Sequence, residues 1–84
     1  MGNVTIYSLS ACPWCKKAKK YFDERHVPYD NTEYDLVEAS ERERIERDMR
    51  DLDAGGFPVV KIGRHAVVGY RPELYEELLR ETVA

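Results

Sequence analysis

The stretch SLSACPWCKKAKKYF, residues Ser8–Phe22, contains both cysteines of this 84-residue chain. Cys12 and Cys15 stand three positions apart, with Pro13 and the only tryptophan, Trp14, between them. Four lysines follow within the next five residues. Cysteines at this spacing form a structural disulfide, contribute half of a metal site, or react as a pair of thiols. The rest of the sequence decides among these three interpretations.

Cysteine and histidine content argues against the first two interpretations. A small secreted domain usually carries four or more cysteines, and a Cys-x-x-Cys bridge closes too short a loop to constrain the unfolded chain much. A structural zinc site needs four ligands, and the only histidines, His26 and His65, lack ligand-like spacing to the pair. We therefore predict a reactive dithiol, no metal or other bound cofactor, and a reducing, cytoplasmic compartment.

Length and charge bound the remaining properties. Eighty-four residues, 43% of them hydrophobic, are enough for one small domain spanning residues 1–84. The apolar runs are too short to span a membrane, and we expect no secretory leader because none of its pattern opens the sequence. A net charge of −3 without a long basic stripe argues against general nucleic-acid binding. We expect a monomer that contacts neither membranes nor nucleic acids.

The first part of the chain indicates a strand, a helix and a second strand. Asn3–Tyr7 alternates polar and apolar residues and is rich in β-formers. Pro13 suits the first turn of a helix, because proline lacks the N–H that would be unpaired there. Helical spacing of apolar residues continues to about Arg25. Tyr29–Leu36 alternates weakly and is predicted to hold the second strand.

A second helix is predicted from Ser40, which has the spacing of a capping box with Glu43. Ile45, Met49 and Leu52 fall on one face of this helix. Its other face carries charged pairs at i,i+4 spacing and is predicted to be a solvated surface. These pairs are Glu43/Arg47, Glu46/Arg50, Arg44/Asp48 and Arg47/Asp51.

The last part of the chain indicates a hairpin followed by a helix. After a glycine pair, the strands Pro58–Ile62 and Ala66–Val68 flank the turn residues Gly63-Arg64. Gly69 ends the second of these strands, and Pro72 opens a last helix. The residues of that helix predicted to face inward are Leu74, Tyr75, Leu78 and Leu79. The order β-α-β-α-β-β-α predicts an α/β fold with a four-stranded mixed sheet and helices on both of its faces.

In this arrangement Cys12 lies at the N-terminus of the first helix and Cys15 lies one turn inside it. The helix end offers unpaired N–H groups and a partial positive charge, and both favour thiolate over thiol. Lys16 and Lys17 add to that positive field. Cys12 is therefore the expected attacking thiolate, and Cys15 is the expected resolving thiol, the more buried of the two.

Two motifs of the chain resemble those of glutaredoxins. CPWC follows a strand and opens a helix, as in the glutaredoxin active site, where tyrosine usually stands in place of Trp14. Further on, GGFPVVKIG (55–63) and VVGYRPELYEELL (67–79) are similar to the family's cis-proline, hairpin and glycine-led start of the last helix. The resemblance covers nearly the whole chain in the same order. It implies a thioredoxin-like, three-layer fold and dithiol–disulfide exchange on protein or glutathione-mixed disulfides.

The resemblance also implies a substrate groove beside Cys12. Pro58 would follow a cis peptide bond, and the backbone of Phe57 would pair with a bound peptide or with glutathione in strand fashion. The alternative is a trans proline that starts an edge strand. Trp14 and Tyr70 would flank the same groove. The full set of implied substrate- or glutathione-binding residues is Pro13, Trp14, Lys16, Phe57, Pro58, Gly69, Tyr70 and Arg71.

Two departures from the family pattern leave the reductant open. Leu9 stands where glutathione-using members usually place a lysine, three residues before the first cysteine. The turn at residues 69–72, GYRP, is similar to that of glutaredoxin-like redoxins that donate electrons to ribonucleotide reductase and are recharged by thioredoxin reductase. CPWC itself is closer to the glutathione-linked members, and Lys16 or Arg71 is available to bind a carboxylate. The expected reductant is therefore glutathione or a thioredoxin-reductase-type flavoenzyme, and ribonucleotide reductase is a candidate partner.

Two other classes of function remain open on this evidence. Relatives that bind a [2Fe–2S] cluster between protomers use two thiolates per chain, but they usually lack a proline after the first cysteine, so Pro13 weighs against this class. A redoxin-like scaffold that only docks proteins has no need of Cys12, Cys15 and Pro58 together. Dithiol exchange is the prediction that uses all of these residues.

Overall fold

Three helices and four strands form in the predicted order within residues 4–83, the part of the chain that the computed structural model describes. The elements are β1 (Val4–Ser8), α1 (Pro13–Glu24), β2 (Asp30–Glu33), α2 (Ala39–Asp51), β3 (Val59–Ile62), β4 (His65–Val68) and α3 (Pro72–Val83). The β-α-β-α-β-β-α order is thereby confirmed. Asn3, predicted to begin β1, lies outside the described residues. None of the helices in residues 4–83 combines the length and the apolar character needed to cross a membrane.

The four strands form one mixed sheet of order β2-β1-β3-β4. β1 pairs parallel with β2 and antiparallel with β3, and β4 pairs antiparallel with β3. A parallel pair needs a crossover connection, which α1 supplies, whereas β3 and β4 are joined by a short hairpin. Gly63 in that hairpin has a φ of 60°, a conformation that glycine adopts without steric cost.

Apolar side chains on the two faces of the sheet form two separate core clusters. On one face, β1, β3 and β4 pack against α1 and α3 through residues that include Phe22 and Tyr75. On the other face, Tyr7 and Val59 pack with Ile45 of α2. Side chains alternate across each strand, so one strand supplies both clusters. The predicted helices on both faces are confirmed.

The start of α2 differs from the sequence prediction. The helix begins at Ala39 with Glu38 as its N-cap, and no side chain caps it. Ser40 therefore lies already inside the first turn, where its hydroxyl is past the N-cap position, and the predicted capping box with Glu43 is wrong. The backbone N–H of Arg42 instead donates to the Glu38 carbonyl at 2.9 Å.

The charged face of α2 also differs from the prediction. None of the four predicted i,i+4 pairs is formed among the side chains described for residues 4–81: Arg44 pairs with Glu41, and Asp48 pairs with Lys61 of β3 at 2.7 Å. Asp48 also accepts a hydrogen bond from the Tyr7 hydroxyl. This face of α2 is therefore tied to the sheet at Asp48 and is not wholly solvated.

β2 is shorter than predicted and ends at Glu33. Its partner β1 ends at Ser8, which pairs with Glu33, so β2 has no neighbour to bond with further along. The Tyr34 N–H still donates to the Ser8 carbonyl at 2.8 Å, and then the Leu36 N–H turns back to the Glu33 carbonyl at 2.9 Å. The segment after β2 is thus a turn at the same edge where β1 ends.

Candidate active site

The sheet brings three separate segments of the chain to one edge. β1 ends at Ser8 beside the start of β3, because Tyr7 pairs with Val59. Val59 in turn pairs with Val68 at the end of β4, and the Gly69 N–H donates to the Pro58 carbonyl at 2.8 Å. The loop that leads to Cys12, the Phe57-Pro58 step and the turn after β4 therefore converge at this edge.

Cys12 is the N-cap residue of α1. Its backbone is extended, with φ −97° and ψ 115°, and its Sγ accepts a hydrogen bond from the Cys15 N–H at 3.2 Å. The sulfur takes the place of the oxygen that serine or aspartate provides in most N-caps. The backbone N–H of Cys12 donates to the Leu9 carbonyl at 3.3 Å, and Pro13 is the first residue of the helix. The positive end of the helix and a donated N–H therefore both face the Cys12 sulfur.

Cys15 is fully buried, whereas Cys12 is partly exposed, and both are free thiols. The pKa of Cys15 is raised to about 11. Burial is the largest cause, and a hydrogen bond to Cys12 and repulsion from the charge of Cys12 contribute in the same direction. The Leu9 N–H and the charge of Lys19 act in the opposite direction. At neutral pH Cys15 is therefore a protonated thiol behind an accessible Cys12.

Asp35 fixes the loop before Cys12, and sequence reasoning missed it. Its carboxylate accepts hydrogen bonds from the Ser10 hydroxyl at 2.5 Å and from the Ser10 N–H at 3.0 Å. These bonds hold the pKa of Asp35 below its usual value, the hydroxyl making the larger contribution. The available signal was topological: β1 and β2 are parallel neighbours, so the residues that follow them meet at one edge.

The Phe57-Pro58 peptide bond is cis, as the resemblance implied. Pro58 is fully buried, and Phe57 is partly buried with its ring 5.3 Å from that of Tyr34. Among the substrate-binding residues predicted from the sequence, these two lie directly before β3, at the edge of the sheet where β1 ends. Their pairing with a peptide or with glutathione stays a prediction.

Trp14 and Tyr70 stack on the other side of the site. Their ring centroids are 6.1 Å apart with an interplanar angle of 30°, and 56% of Trp14 is exposed. The predicted exposure of Trp14 is confirmed. Gly69 holds the turn with a φ of 95°, which favours glycine, and the buried Tyr75 hydroxyl donates to its carbonyl. Tyr75 thus anchors the turn that presents Tyr70 to Trp14.

The remaining predicted site residues lie at helix starts. Pro13 and Lys16 are exposed in the first turn of α1, and Arg71 is exposed beside the start of α3. Arg71 lines a shallow depression with Glu73 and other residues of α3. Neither cation forms an ion pair with any side chain of residues 4–81, so each is available to a ligand. Within the described residues, no group of three or more His, Cys, Asp or Glu is arranged to hold a metal ion.

The glutaredoxin family model matches residues 4–67 of the chain. The chain belongs to the glutaredoxin family. It is similar to the uncharacterized glutaredoxin-like 8.6 kDa protein in the rubredoxin operon of Clostridium pasteurianum, with 28% identity over 79 residues, 93% of this chain and 99% of the relative. The family membership predicted from CPWC and the Phe57-Pro58 segment is confirmed.

Solved structures share the architecture of this glutaredoxin. The glutaredoxin of Archaeoglobus fulgidus matches it with a TM-score of 0.86 and 31% identity, over 95% of this chain and 88% of that one. The glutaredoxin-like NrdH-redoxin of Escherichia coli matches with a TM-score of 0.75 and 24% identity, over 89% and 92% of the two chains. This second likeness concerns the fold alone. The predicted thioredoxin-like fold is confirmed.

Proposed function

We propose that this glutaredoxin is a dithiol–disulfide oxidoreductase that reduces disulfides of proteins or mixed disulfides with glutathione. The observation that carries the proposal is the unequal placement of the two thiols. Cys12 is partly exposed and accepts a backbone hydrogen bond at a helix N-terminus, whereas Cys15 is fully buried. One thiol is thus presented to a partner, and the other is withheld until the first has reacted.

In the first step, the Cys12 thiolate attacks one sulfur of the substrate disulfide. A bond forms between Cys12 and that sulfur, the substrate S–S bond breaks, and the second substrate sulfur leaves as a thiolate that takes a proton from water. The Cys15 N–H and the positive end of α1 face the Cys12 sulfur that makes this attack.

In the second step, Cys15 attacks the sulfur of Cys12. Two of the causes that keep Cys15 protonated, the hydrogen bond to Cys12 and the charge of Cys12, end when Cys12 becomes neutral in the mixed disulfide. The pKa of Cys15 therefore falls at the step that needs its thiolate. Cys15 loses its proton, bonds to Cys12 and expels the remaining substrate sulfur, so the substrate gains two electrons and the protein ends as the Cys12–Cys15 disulfide.

Substrate backbone and side chains are held by the two walls of the site. Phe57 at the converging edge offers its backbone N–H and C=O for strand-like pairing with an extended peptide. The stacked Trp14 and Tyr70 offer an aromatic surface opposite, with Lys17 Nζ 4.6 Å from the Trp14 ring centroid. An extended segment that carries a disulfide would contact both walls when its sulfur lies at Cys12.

A reductant must return the oxidised protein to the dithiol. Leu9 offers no charge to a glutathione carboxylate, and the turn from Gly69 to Pro72 is similar to that of redoxins recharged by thioredoxin reductase. These features favour a thioredoxin-reductase-type flavoenzyme, with ribonucleotide reductase as a partner to test next. The unpaired cations Lys16 and Arg71 keep glutathione as the second candidate. Either reductant implies a reducing compartment such as the cytoplasm.

Reduction of a single-disulfide peptide by the pre-reduced protein tests the proposed activity. We expect wild type to reduce one peptide disulfide per chain, Cys12→Ser to reduce none, and Cys15→Ser to accumulate a mixed disulfide with the peptide that mass spectrometry detects. Circular dichroism checks that both variants are folded. No reduction by wild type, or full reduction by Cys12→Ser, would contradict the proposal.

Two coupled assays on the oxidised protein identify the reductant. One contains glutathione, glutathione reductase and NADPH, and the other contains thioredoxin reductase and NADPH. We expect faster NADPH consumption in the second assay. Faster consumption in the first would make glutathione the donor despite Leu9.

A further inference from the structure

A cavity of about 420 Å³ lies between α1 and the start of α3, next to the aromatic wall of the active site. Its lining includes Lys17, Lys20, Tyr21, Glu24, Arg25 and Tyr70. It adjoins the site at two points, because Tyr70 belongs to both and Lys17 contacts the Trp14 ring. We call it the basic cavity.

Three cations and one carboxylate line the basic cavity. The carboxylate, Glu24, is 3.9 Å from Lys20, and both side chains are more than 60% exposed, so this pair is weak and leaves Lys20 available. Lys17 and Arg25 contact aromatic rings and form no ion pair with side chains of residues 4–81. The cavity is therefore positive in a chain whose net charge is −3.

The hydroxyl of Tyr21 has no hydrogen-bond acceptor among the described residues, although it is sealed from solvent and Tyr21 is only 5% exposed. A buried hydroxyl without a partner is costly, and few are found in folded proteins. The Arg25 guanidinium carbon lies 3.9 Å from the Tyr21 ring centroid, and a guanidinium has only donors, so it offers the O–H no acceptor. Glu76 of α3 adds one negative charge to the surroundings of Tyr21. Arg25 thus makes this wall complementary to an acceptor with negative charge, to which the Tyr21 O–H can also donate once its side chain turns outward.

We infer that the basic cavity binds carboxylates of an acidic segment that flanks the disulfide of a protein substrate. This inference rests on the proposed function, because the substrate disulfide must lie at Cys12 while the acidic segment occupies the cavity. Lys17 and Lys20 stand five and eight residues after Cys12, or about 8 and 12 Å along a helix. An extended peptide covers that distance in about two to four residues. The acidic residues are accordingly placed two to four positions from the substrate cysteine.

Two disulfide peptides test the inference. They share one intramolecular disulfide, and three residues starting two positions from one cysteine are glutamate in the first peptide and glutamine in the second. We expect pre-reduced wild type to reduce the glutamate peptide about fivefold faster, the size expected for two partly exposed ion pairs. The advantage is expected to disappear in 0.5 M salt, because screening weakens charge pairs at a surface.

The double variant Lys17→Gln/Lys20→Gln is expected to bring the ratio of the two rates close to one. Its matched control is Arg64→Gln/Arg80→Gln, which removes the same charge from the β3–β4 turn and the last turn of α3. A ratio near one for wild type, or the same fall in the control, overturns the inference. The second result would mean that total charge, and not the cavity, selects the peptide.

Tyr21→Phe separates binding from structure. Because the sealed hydroxyl has no acceptor among the described residues and must turn outward to reach a ligand, its removal is expected to keep or raise the melting temperature while lowering the ratio of rates. An unchanged ratio overturns the role of the hydroxyl.

Binding of a cysteine-free glutamate peptide, followed by Trp14 fluorescence, measures occupancy of the cavity without turnover. If neither disulfide peptide is reduced but wild type still binds the cysteine-free glutamate peptide more tightly than its glutamine counterpart, the proposed oxidoreductase activity fails and the inference about the basic cavity stands. If the cysteine-free glutamate peptide does not bind, the inference is wrong regardless of the activity.

Discussion

Asp48→Ala should lower the stability of this glutaredoxin by an amount that the contacts of Asp48 set. The carboxylate accepts hydrogen bonds from Lys61 at 2.7 Å and from the Tyr7 hydroxyl. It is 27% exposed, so neither bond is fully buried, and we count about 1 kcal/mol for each. Tyr7 is only 2% exposed, and its hydroxyl would lose its acceptor there. The expected loss is about 2 kcal/mol of unfolding free energy, or about 8–15 °C in melting temperature for a domain of this size.

Urea unfolding measures this loss, with the far-ultraviolet dichroism and the fluorescence of Trp14 as independent probes. Asp51→Ala is the matched control, because Asp51 lies three residues later on α2 and forms no ion pair with side chains of residues 4–81. It should change the free energy by less than about 0.5 kcal/mol. If Asp48→Ala costs no more than Asp51→Ala, the contacts from Asp48 to the sheet do not stabilise the fold, and the reasoning is wrong.

Three further predictions concern acid stability, thiol reactivity and the loop before the site. The pKa of Asp48 is lowered despite its burial, because Lys61 and Tyr7 bond to the ionised form. The contribution of Asp48 to stability is therefore present above the unfolded pKa of about 4 and is lost as pH falls below it. Urea unfolding should accordingly show a larger difference in unfolding free energy between wild type and Asp48→Asn at pH 6 than at pH 3.5. At pH 7, iodoacetamide should alkylate Cys12 and leave Cys15 unmodified, because burial raises the Cys15 pKa to about 11; peptide mapping that finds equal labelling contradicts this. Asp35→Ala should slow peptide reduction several-fold, because the Asp35 carboxylate bonds to Ser10 in the loop before Cys12. Asp30→Ala, which removes an exposed carboxylate of β2, is the matched control and should leave the rate unchanged. Equal rates for the two variants in a stopped-flow assay would show that the loop needs no such anchor.

Sequence periodicity was sufficient for the elements that pack against the sheet. The apolar spacing of α3 predicted which side chains face inward, and Tyr75 and Leu78 are buried in the core as expected. The cis bond before Pro58 came from the family resemblance and not from periodicity, since proline alone is compatible with either isomer. The sequence was therefore informative where a pattern repeats or where a motif is shared with a family.

Two contacts that sequence reasoning missed join residues far apart in the chain. Asp48 was assigned to a solvated helix face because its neighbours on α2 offered plausible partners, whereas its actual partner Lys61 lies on β3. Asp35 and Ser10 meet only because β1 and β2 end at one edge. Local pairing rules weigh only neighbours three or four positions apart. A strand brought alongside the helix by the fold competes with those neighbours for the same carboxylate.

Under the proposed function, one site at Cys12 must serve both a substrate and a reductant. A substrate brings a disulfide sulfur to the Cys12 thiolate, and a reductant brings a thiolate to the sulfur of oxidised Cys12. Contacts at the Cys12 sulfur alone therefore select neither. Selection has to come from surfaces on either side of it. Leu9 leaves the loop before Cys12 uncharged at that position, and Tyr70 belongs both to the site and to the basic cavity. A substrate with acidic residues would then contact the basic cavity, and a reductant without them would not. The charge of the flanking segment, more than the disulfide itself, would distinguish the two.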